Sequence, residues 1–317
     1  MRDERGVHCP YIDPNIHCPP FATQPRILRY IDLSESQSVT SRSIVAARSD
    51  FQPQQRLDPV SVEEPLEIRI GETPVAVVMR TPGDDFELVA GFLLTEGILD
   101  DPGSLGALSY CSDATPPNER NVVEVQLSAD FDFDADALRR NFYATSSCGV
   151  CGKASIEQVR LKSQRQPTAF TVEDEILKAL PATLRQQQAQ FERTGSLHAA
   201  GLFDPRGQLL AVREDVGRHN AVDKLMGSFV LGGHWPPSAS VLMVSGRTSF
   251  EIVQKALLSG LGCVASVSGP SSLAVDLAQE TGVTLIGFVR NGGYNLYTHA
   301  ERLLCAGDPL STVATRR

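Results

Sequence analysis

Two short runs rich in apolar residues begin near Pro65 and mark the start of regular structure. Apolar side chains occupy every second position over residues 66–70, and a second apolar run covers residues 75–79. The intervening residues 71–74, Gly-Glu-Thr-Pro, are typical of a turn. This pattern predicts a β-hairpin.

A helix is predicted directly after this hairpin. Asp84, followed three residues later by Glu87, is typical of a capped helix start, and the helical pattern continues to Leu94, with Gly97 suited to the C-terminal cap. Alternation returns over residues 123–127, which predicts another strand. Together these elements predict a small α+β domain over residues 56–144.

The second half of the chain alternates helix and strand signals. A helix is predicted over residues 172–191, broken at Pro181, and a hairpin over 197–213 around the turn sequence Asp-Pro-Arg-Gly. Helices are then predicted over 217–229, 250–259 and 272–280, and strands over 241–245, 263–267 and 283–289. Strands separated by such helices predict an α/β domain over residues 156–306, with a mostly parallel sheet covered on both faces. The fold class is therefore α/β, or α+β when both domains are counted.

The two ends of the chain lack such a pattern. Residues 1–55 contain several prolines and many polar residues, which predicts a disordered or loosely packed extension, and residues 307–317 are expected to form a C-terminal tail. The tripeptide His-Cys-Pro at residues 8–10 recurs at residues 17–19 and offers four metal-ligand side chains. A flexible tail is the favoured interpretation of this repeat.

Composition and charge exclude several classes of function. The net charge of −9 and a pI near 5.2 argue against nucleic-acid partners, which need a basic surface to displace counterions. No run approaches the ~18 apolar residues that a membrane span needs, so no membrane partner is expected. An odd count of seven cysteines, with no recognisable secretory signal, argues against a disulfide framework and for a cytoplasmic location.

The most distinctive chemical feature is the pair Cys148 and Cys151, a C-x-x-C motif in the glycine-rich sequence Ser-Cys-Gly-Val-Cys-Gly-Lys. We expect residues 145–155 to form a mobile loop between the two domains. One thiol could be an activated nucleophile, since Lys153 and the amides near the glycines would lower its pKa. A thioredoxin-like dithiol is a second possibility, but the aromatic residue and the proline of that motif are missing.

A zinc site is the third possibility for the cysteine pair. Structural zinc needs four ligands, and the chain has no second C-x-x-C. The distant His198 or His219 could complete such a site. His198 lies in an apolar stretch, however, where a hydrogen-bonded core histidine is the favoured interpretation.

Three polar loops that follow predicted strands indicate a ligand that carries phosphate. Each loop contains an arginine, namely Arg218, Arg247 and Arg290. Free amides at the starts of helices and forked guanidinium groups both suit phosphate. The structural alternative is that Asp215 and Ser249 cap helices and that each arginine is an ordinary surface residue.

Eight separated blocks of the sequence resemble the FdhD/NarQ family of formate dehydrogenase accessory proteins, also described as sulfur carrier proteins. The resemblance runs from about residue 60 to 304, in family order. The blocks are residues 63–66, 79–85, 91–98, 147–153, 194–200, 214–224, 245–247 and 297–299.

The resemblance implies a sulfurtransferase that serves a molybdenum cofactor. A cysteine desulfurase would supply sulfur, and the chain would deliver it to the bis-molybdopterin guanine dinucleotide cofactor before that cofactor enters formate dehydrogenase. By the same resemblance, Cys148 is the persulfide carrier and Cys151 a relay or resolving thiol. The implied cofactor-binding segment is Phe288, Val289, Arg290, Asn291, Gly292 and Gly293, and we expect Arg218 and Arg247 to line the same pocket.

The resemblance also implies a second domain similar to the cytidine-deaminase fold. Zinc deaminases need a glutamate and cysteines at two helix starts, and the corresponding residues 218–221 and 245–248 contain neither. Deaminase activity is therefore not expected. Two other interpretations stay open, a non-catalytic molybdenum-cofactor chaperone and a zinc-stabilised binding module, and a homodimer is a possible assembly.

Overall fold

The computed structural model describes residues 38–48, 51–115, 118–129, 131, 167, 170–237 and 240–304. Three predicted segments lie outside these ranges, namely the His-Cys-Pro repeat, the loop with Cys148 and Cys151, and the tail at 307–317. What the sequence predicts for them stays a prediction.

The described part begins with a two-stranded antiparallel ribbon of β1 (Val39–Arg48) and β2 (Phe51–Ser61). The sequence pattern did not predict these two strands, which begin within the extension expected to be disordered or loosely packed. Most of the ribbon's side chains are exposed, including Val45 and Leu57. Because neither strand buries one face, neither has the alternation by which a half-buried strand is recognised in a sequence.

The first unit is a four-stranded sheet with a helix on one face. It contains β3 (Glu64–Ile70), β4 (Thr73–Arg80), α1 (Asp85–Thr95), β5 (Leu105–Tyr110) and β6 (Val122–Leu127), with the strands in the order β4-β3-β6-β5. Alternate residues of β3 and β6, such as Leu66 and Val123, are buried in one apolar core with side chains of α1. The predicted hairpin, helix and strand are confirmed, whereas β5 was not predicted.

The start of α1 differs from the predicted capping box. Asp84 has a left-handed backbone (φ 54°) and its side chain caps nothing. The next residue, Asp85, is instead buried and accepts two hydrogen bonds from Arg80, at 2.9 and 3.0 Å. Gly97 has φ 64° just beyond the end of α1, as its predicted role in the cap requires.

The second unit is a six-stranded sheet covered on both faces. Its elements are β7 (Val172–Glu173), α2 (Asp174–Gln186), α3 (Ala189–Thr194), β8 (His198–Phe203), β9 (Leu209–Asp215), α4 (Arg218–Leu231), β10 (Val241–Val244), α5 (Phe250–Leu258), β11 (Cys263–Ser266), α6 (Ser272–Thr281), β12 (Thr284–Arg290), β13 (Gly293–Thr298) and β14 (Leu303–Leu304). One apolar core lies between the sheet and the helices α4, α5 and α6, and another lies under α2. The short strands β7 and β14 pair with each other outside the main sheet.

The main sheet has the order β13-β12-β11-β10-β8-β9 and is mixed. Its centre, β10 to β12, is parallel as predicted. Antiparallel partners flank that centre on both sides, because β8 and β9 form a hairpin and β13 returns from β12 through a tight turn. The expectation of a mostly parallel sheet therefore holds for the centre and is corrected at the edges.

Pro181 does not break α2, contrary to the prediction. The helix runs through it to Gln186, and the interruption comes at residues 187–188, before α3 begins. Leu177, Leu180 and Leu184 are buried along one face on both sides of the proline. Burial of this continuous apolar face offsets the hydrogen bond that proline cannot donate.

The helices α1 and α4 join the two units, and their backbones touch at two glycines. A Cβ atom added to Gly91 would lie 1.8 Å from the carbonyl oxygen of Asp223, and one added to Gly227 would lie 1.8 Å from that of Glu87. Only glycine permits so close an approach. The two units are therefore packed directly against each other.

A buried ionic cluster lies beside this crossing. Lys255 contacts Asp223 at 2.8 Å and Glu96 at 2.5 Å, and the hydroxyl of Thr95 donates to Asp223 at 2.6 Å. Burial by itself would lower the pKa of Lys255, but the carboxylates of Asp223 and Glu96 overcome it and raise that pKa. The lysine therefore stays charged, and its partners come from both units.

None of the helices in the described ranges is long and apolar enough to cross a membrane; the longest, α4, has 14 residues.

We predict that Gly91→Ala destabilises the protein by roughly 3 kcal/mol or more, since the new methyl group meets the backbone of α4. In an open helix the same change would stabilise by about 1 kcal/mol. Chemical denaturation of the full chain measures the effect. Gly293→Ala is the control, because a Cβ there meets nothing within 4 Å. An unchanged midpoint in Gly91→Ala would contradict the described crossing.

Candidate functional site

Polar residues from several elements meet at one edge of the main sheet. The parallel strands β10, β11 and β12 all end there, β9 ends there, β8 starts there, and α4, α5 and α6 begin there. We call this region the carboxyl edge; it comprises His198 and residues 215–219, 245–251, 267–271 and 288–293. In an α/β sheet this is where ligands bind, since helix starts present free N–H groups and a positive dipole end.

Asp215 fixes the start of α4 at the carboxyl edge. Its fully buried carboxylate accepts hydrogen bonds from the backbone of Gly217 at 2.8 Å and the side chain of Asn220 at 2.9 Å. It also accepts from the backbone of Thr81 at 3.1 Å and lies 2.8 Å from the ammonium of Lys224. With all these partners Asp215 is structural, and it ties α4 to the first unit.

The segment before α1 is held in turn by Arg80. Its guanidinium is buried, forms a bidentate salt bridge with Asp85 and donates a hydrogen bond to the side chain of Asn121 at 3.2 Å. Tyr110 donates to the same aspartate at 3.0 Å. Arg80 and Asp85 of the motif at residues 79–85 are therefore buried and structural; they position the backbone of Thr81 under α4.

Within the block 214–224 the structure separates supporting residues from exposed ones. Glu214 accepts hydrogen bonds from the backbone N–H groups of Gln190 and Phe191, both at 2.9 Å, and so caps the start of α3. Together with the buried Asp215, Asn220, Asp223 and Lys224, it serves the fold. Arg218 and His219 are the side chains of this block that remain available at the carboxyl edge.

Arg218 and His198 lie side by side against Gly246. A Cβ on Gly246 would be 3.2 Å from His198 Nδ1 and 3.6 Å from Arg218 Cδ, so the glycine backbone forms the floor beneath both side chains. Arg218 Nε is buried without a hydrogen-bond partner among the described residues. Burial, together with the neighbouring Arg218, His219 and Arg247, lowers the pKa of His198, while Asp215 acts in the opposite direction.

His219 links α4 to α5. Its Nε2 atom lies 3.0 Å from the hydroxyl of Ser249 and 2.8 Å from the carboxylate of Glu251. The hydrogen bond with His219 lowers the pKa of Glu251. Ser249 occupies the N-cap position of α5 but makes no side-chain cap, so its hydroxyl serves His219 instead.

The loops after β10 and β11 are joined by the backbone of Thr248. Thr248 bridges to Pro270, and its carbonyl accepts a hydrogen bond from Ser271 N at 3.0 Å. The side chain of Thr248 is only 1% exposed, yet its hydroxyl has no partner in the described part of the chain. The adjacent Arg247 is exposed to solvent.

The predicted cofactor segment continues this surface, with one exception. Phe288 has a left-handed backbone (φ 55°), which is strained for an aromatic residue and costs about 1–3 kcal/mol. Its ring packs on Gly269, where a Cβ would lie 2.8 Å from the ring, and Arg290 stacks over it at 5.3 Å from the ring centre. Val289, in contrast, points into the core and cannot present its side chain to a ligand.

The end of this segment is the turn between β12 and β13. Asn291 (φ 54°) and Gly292 (φ 75°) form it and are exposed, and Gly293 begins β13 with open space above its Cα. Arg290 pairs with Gly293 across the turn.

The three predicted arginines therefore lie along one edge. None of Arg218, Arg247 and Arg290 forms a salt bridge with a described residue. Arg218 lies against Gly246, and two residues further on Thr248 pairs with Pro270. The loop at 268–270 in turn contacts Phe288, so the three arginines belong to one continuous surface. The roles of Thr248, Gly269 and Glu251 at this edge were not predicted from the sequence, because they depend on neighbours distant in the chain.

The block Tyr297-Thr298-His299 does not join this edge. Thr298 donates to the carbonyl of Val283 at 2.7 Å and accepts from the backbone of Leu285 at 2.9 Å, which ties β13 to the start of β12. This places the block at the opposite end of the sheet, where it is structural.

No group of three or more His, Cys, Asp or Glu side chains suited to a metal occurs among the described residues. Cys148 and Cys151 lie outside them, so the zinc alternative stays a hypothesis about that pair. The described cysteines are Cys111 and Cys263, which are both buried.

Comparison with known proteins gives a consistent assignment. A family model described as the FdhD/NarQ family matches residues 61–304. The chain is 51% identical over 271 residues to the sulfur carrier protein FdhD of Streptomyces coelicolor, covering 84% of this chain and 96% of that protein. It is 50% identical over 269 residues to the protein of the same name from Mycolicibacterium paratuberculosis, covering 84% and 99%.

A solved structure from Desulfotalea psychrophila, assigned as a formate dehydrogenase accessory protein, has the same fold. The TM-score is 0.65 at 24% identity, over 84% of this chain and 99% of that chain. The family model covers most of the chain, and the relatives match it at about half identity. The resemblance seen in the motifs is thereby confirmed, and the chain belongs to the FdhD/NarQ family.

Proposed function

We propose that this chain is a sulfurtransferase that carries sulfur as a persulfide on Cys148 and delivers it to the bis-molybdopterin guanine dinucleotide cofactor for formate dehydrogenase. The observation that carries the proposal is the carboxyl edge, where three helices begin and three arginines form no salt bridge with a described residue. The names of the relatives, sulfur carrier proteins, support the sulfur-carrying half.

The proposed binding of the cofactor rests on charge and on polar atoms without hydrogen-bond partners among the described residues. Each guanine dinucleotide arm carries a pyrophosphate, which suits forked guanidinium groups and free helix N–H groups. Arg218 Nε and Thr248 Oγ1 are buried without partners among the described residues. Such groups are costly unless a ligand or water satisfies them, so they indicate a bound polar ligand.

Sulfur acceptance is a thiol–persulfide exchange. The Cys148 thiolate attacks the terminal sulfur of a desulfurase persulfide, forms a new S–S bond, and the desulfurase cysteine leaves as a thiolate. To release that sulfur as sulfide, two electrons are needed. The Cys151 thiolate would supply them by attacking Sγ of Cys148, so that the bond from this Sγ to the outer sulfur breaks. HS⁻ then leaves to the cofactor and a Cys148–Cys151 disulfide remains.

We predict that incubation with a cysteine desulfurase and L-cysteine adds about 32 Da per sulfur atom to the peptide that contains Cys148. Mass spectrometry of the digested protein measures it, and Cys148→Ala should abolish it. Cys263 is the internal control, because burial raises the pKa of its thiol to about 12 and leaves it unreactive. A Cys148→Ala variant that still supports full formate dehydrogenase activity would favour the chaperone alternative.

We predict that Arg218→Ala and Arg247→Ala each weaken the binding of guanosine diphosphate about tenfold or more, since each removes a charged donor to phosphate. Titration calorimetry on the full chain measures the affinity. Arg206→Ala is the control, since Arg206 lies on the turn between β8 and β9, at the other end of that hairpin, and pairs there with Asp204. Equal affinities in all three variants would refute the pocket.

We predict that Thr248→Val keeps or raises the free energy of unfolding, by up to about 1 kcal/mol, while it weakens guanosine diphosphate binding. The Thr248 hydroxyl has no hydrogen-bond partner to lose among the described residues. Thr298→Val is the matched control: its hydroxyl makes two hydrogen bonds, so we expect a loss of about 1–3 kcal/mol. A large destabilisation by Thr248→Val would show that its hydroxyl serves the fold rather than a ligand.

A further inference from the structure

We infer that His198 contacts the anionic ligand at the carboxyl edge and takes up a proton when that ligand binds. The inference rests on the proposed function and adds to it a residue and a proton that belong to the binding step.

The position of His198 makes it a contact residue. It is the first residue of β8, pairs with Asp215 of β9, and lies on Gly246 beside Arg218. Its ring makes no hydrogen bond with a described residue, whereas the rings of His219 and His299 both do. The hydrogen bond expected for a core histidine is therefore absent within the part of the chain that the structure describes.

The charges around His198 favour a neutral imidazole in the free protein. Arg218 and His219 face it from α4, and Arg247 faces it from the loop after β10. Among the described residues, the carboxylate of Asp215 in β9 acts in the opposite direction and favours the imidazolium. The carboxylate of Asp215 is already bound to Lys224 and three hydrogen-bond donors, so it offsets little of the positive charge.

An anion placed among these groups reverses the balance. A phosphate oxygen beside the ring accepts a hydrogen bond best from an imidazolium, and its negative charge stabilises that form. Binding and protonation are then linked: the pKa of His198 is low without ligand and higher with it. Affinity should rise as the pH falls between these two values, by at most about tenfold per pH unit for one proton.

The test uses guanosine diphosphate as the probe and the full chain. Binding enthalpies are measured by titration calorimetry near pH 7 in two buffers that differ in ionisation enthalpy, and the difference gives the protons taken up per ligand. The ligand's own phosphate also titrates, so the informative quantity is wild type minus His198→Gln, a variant that keeps hydrogen-bonding capacity but cannot titrate.

We expect wild type to take up more protons than His198→Gln, and His198→Gln to bind about tenfold more weakly at pH 6.5, with a smaller deficit at pH 8. His234→Gln, an exposed position beyond the far end of α4, should match wild type. Binding with identical proton uptake in wild type and His198→Gln overturns this inference alone. Absence of guanosine diphosphate binding to wild type overturns the proposed cofactor pocket, and this inference with it.

Discussion

The contact between α1 and α4 is the constraint on which the rest of the structure depends. Gly91 and Gly227 allow the two helix backbones to touch, and the buried charges beside the crossing, which pair within the second unit, gain further partners from the first. Asp215 also accepts a hydrogen bond from the backbone of Thr81, and Lys255 also contacts Glu96. Because losing these partners would leave buried charged groups less well compensated, the contacts favour one docking geometry.

This docking also shapes the candidate site. The first unit supports the carboxyl edge through Thr81, whose backbone donates to Asp215 and whose hydroxyl accepts from Val216 N at 3.1 Å. These contacts set where α4 begins and therefore where Arg218 and His219 lie. The motif around Arg80 positions the backbone of Thr81, which donates to Asp215, and does not itself meet a ligand at the carboxyl edge. The family motifs thus include two kinds of residue, those that could meet a ligand and those that hold the first kind in place.

The charge distribution explains how an acidic chain can offer an anion site. The carboxylates of Asp85, Asp215 and Asp223 are buried and paired within the fold. The arginines at the carboxyl edge have no such partners in the described part of the chain. Net charge therefore describes the whole surface, whereas binding depends on which charges are already neutralised. The strained backbone of Phe288 lies at the same edge, as strained residues often do at functional sites.

The sequence by itself determined the family and most of the helices and strands that are buried on one face or on both. Periodicity located the helices and strands from β8 to β12 to within about two residues, because a buried face imposes its period on the chain. The ribbon β1–β2 was missed because both of its faces are exposed, and the break at Pro181 was wrong because leucines on both sides of it are buried. The capping role of Asp84 failed because Arg80 engages the next residue.

Only the tertiary structure decided which polar residues are available to contact a ligand. In the sequence, nothing distinguishes Asp215 and Lys224 from Arg218 and His219 as candidate ligand contacts. In the structure, however, Asp215 and Lys224 are buried and already paired with each other. The sequence favours a hydrogen-bonded core histidine for His198 and gives Thr248 no separate role. The structure instead shows an imidazole and a hydroxyl that lack hydrogen-bond partners among the described residues. Whether a polar group is satisfied depends on atoms distant in the chain, so local sequence carries no signal for it.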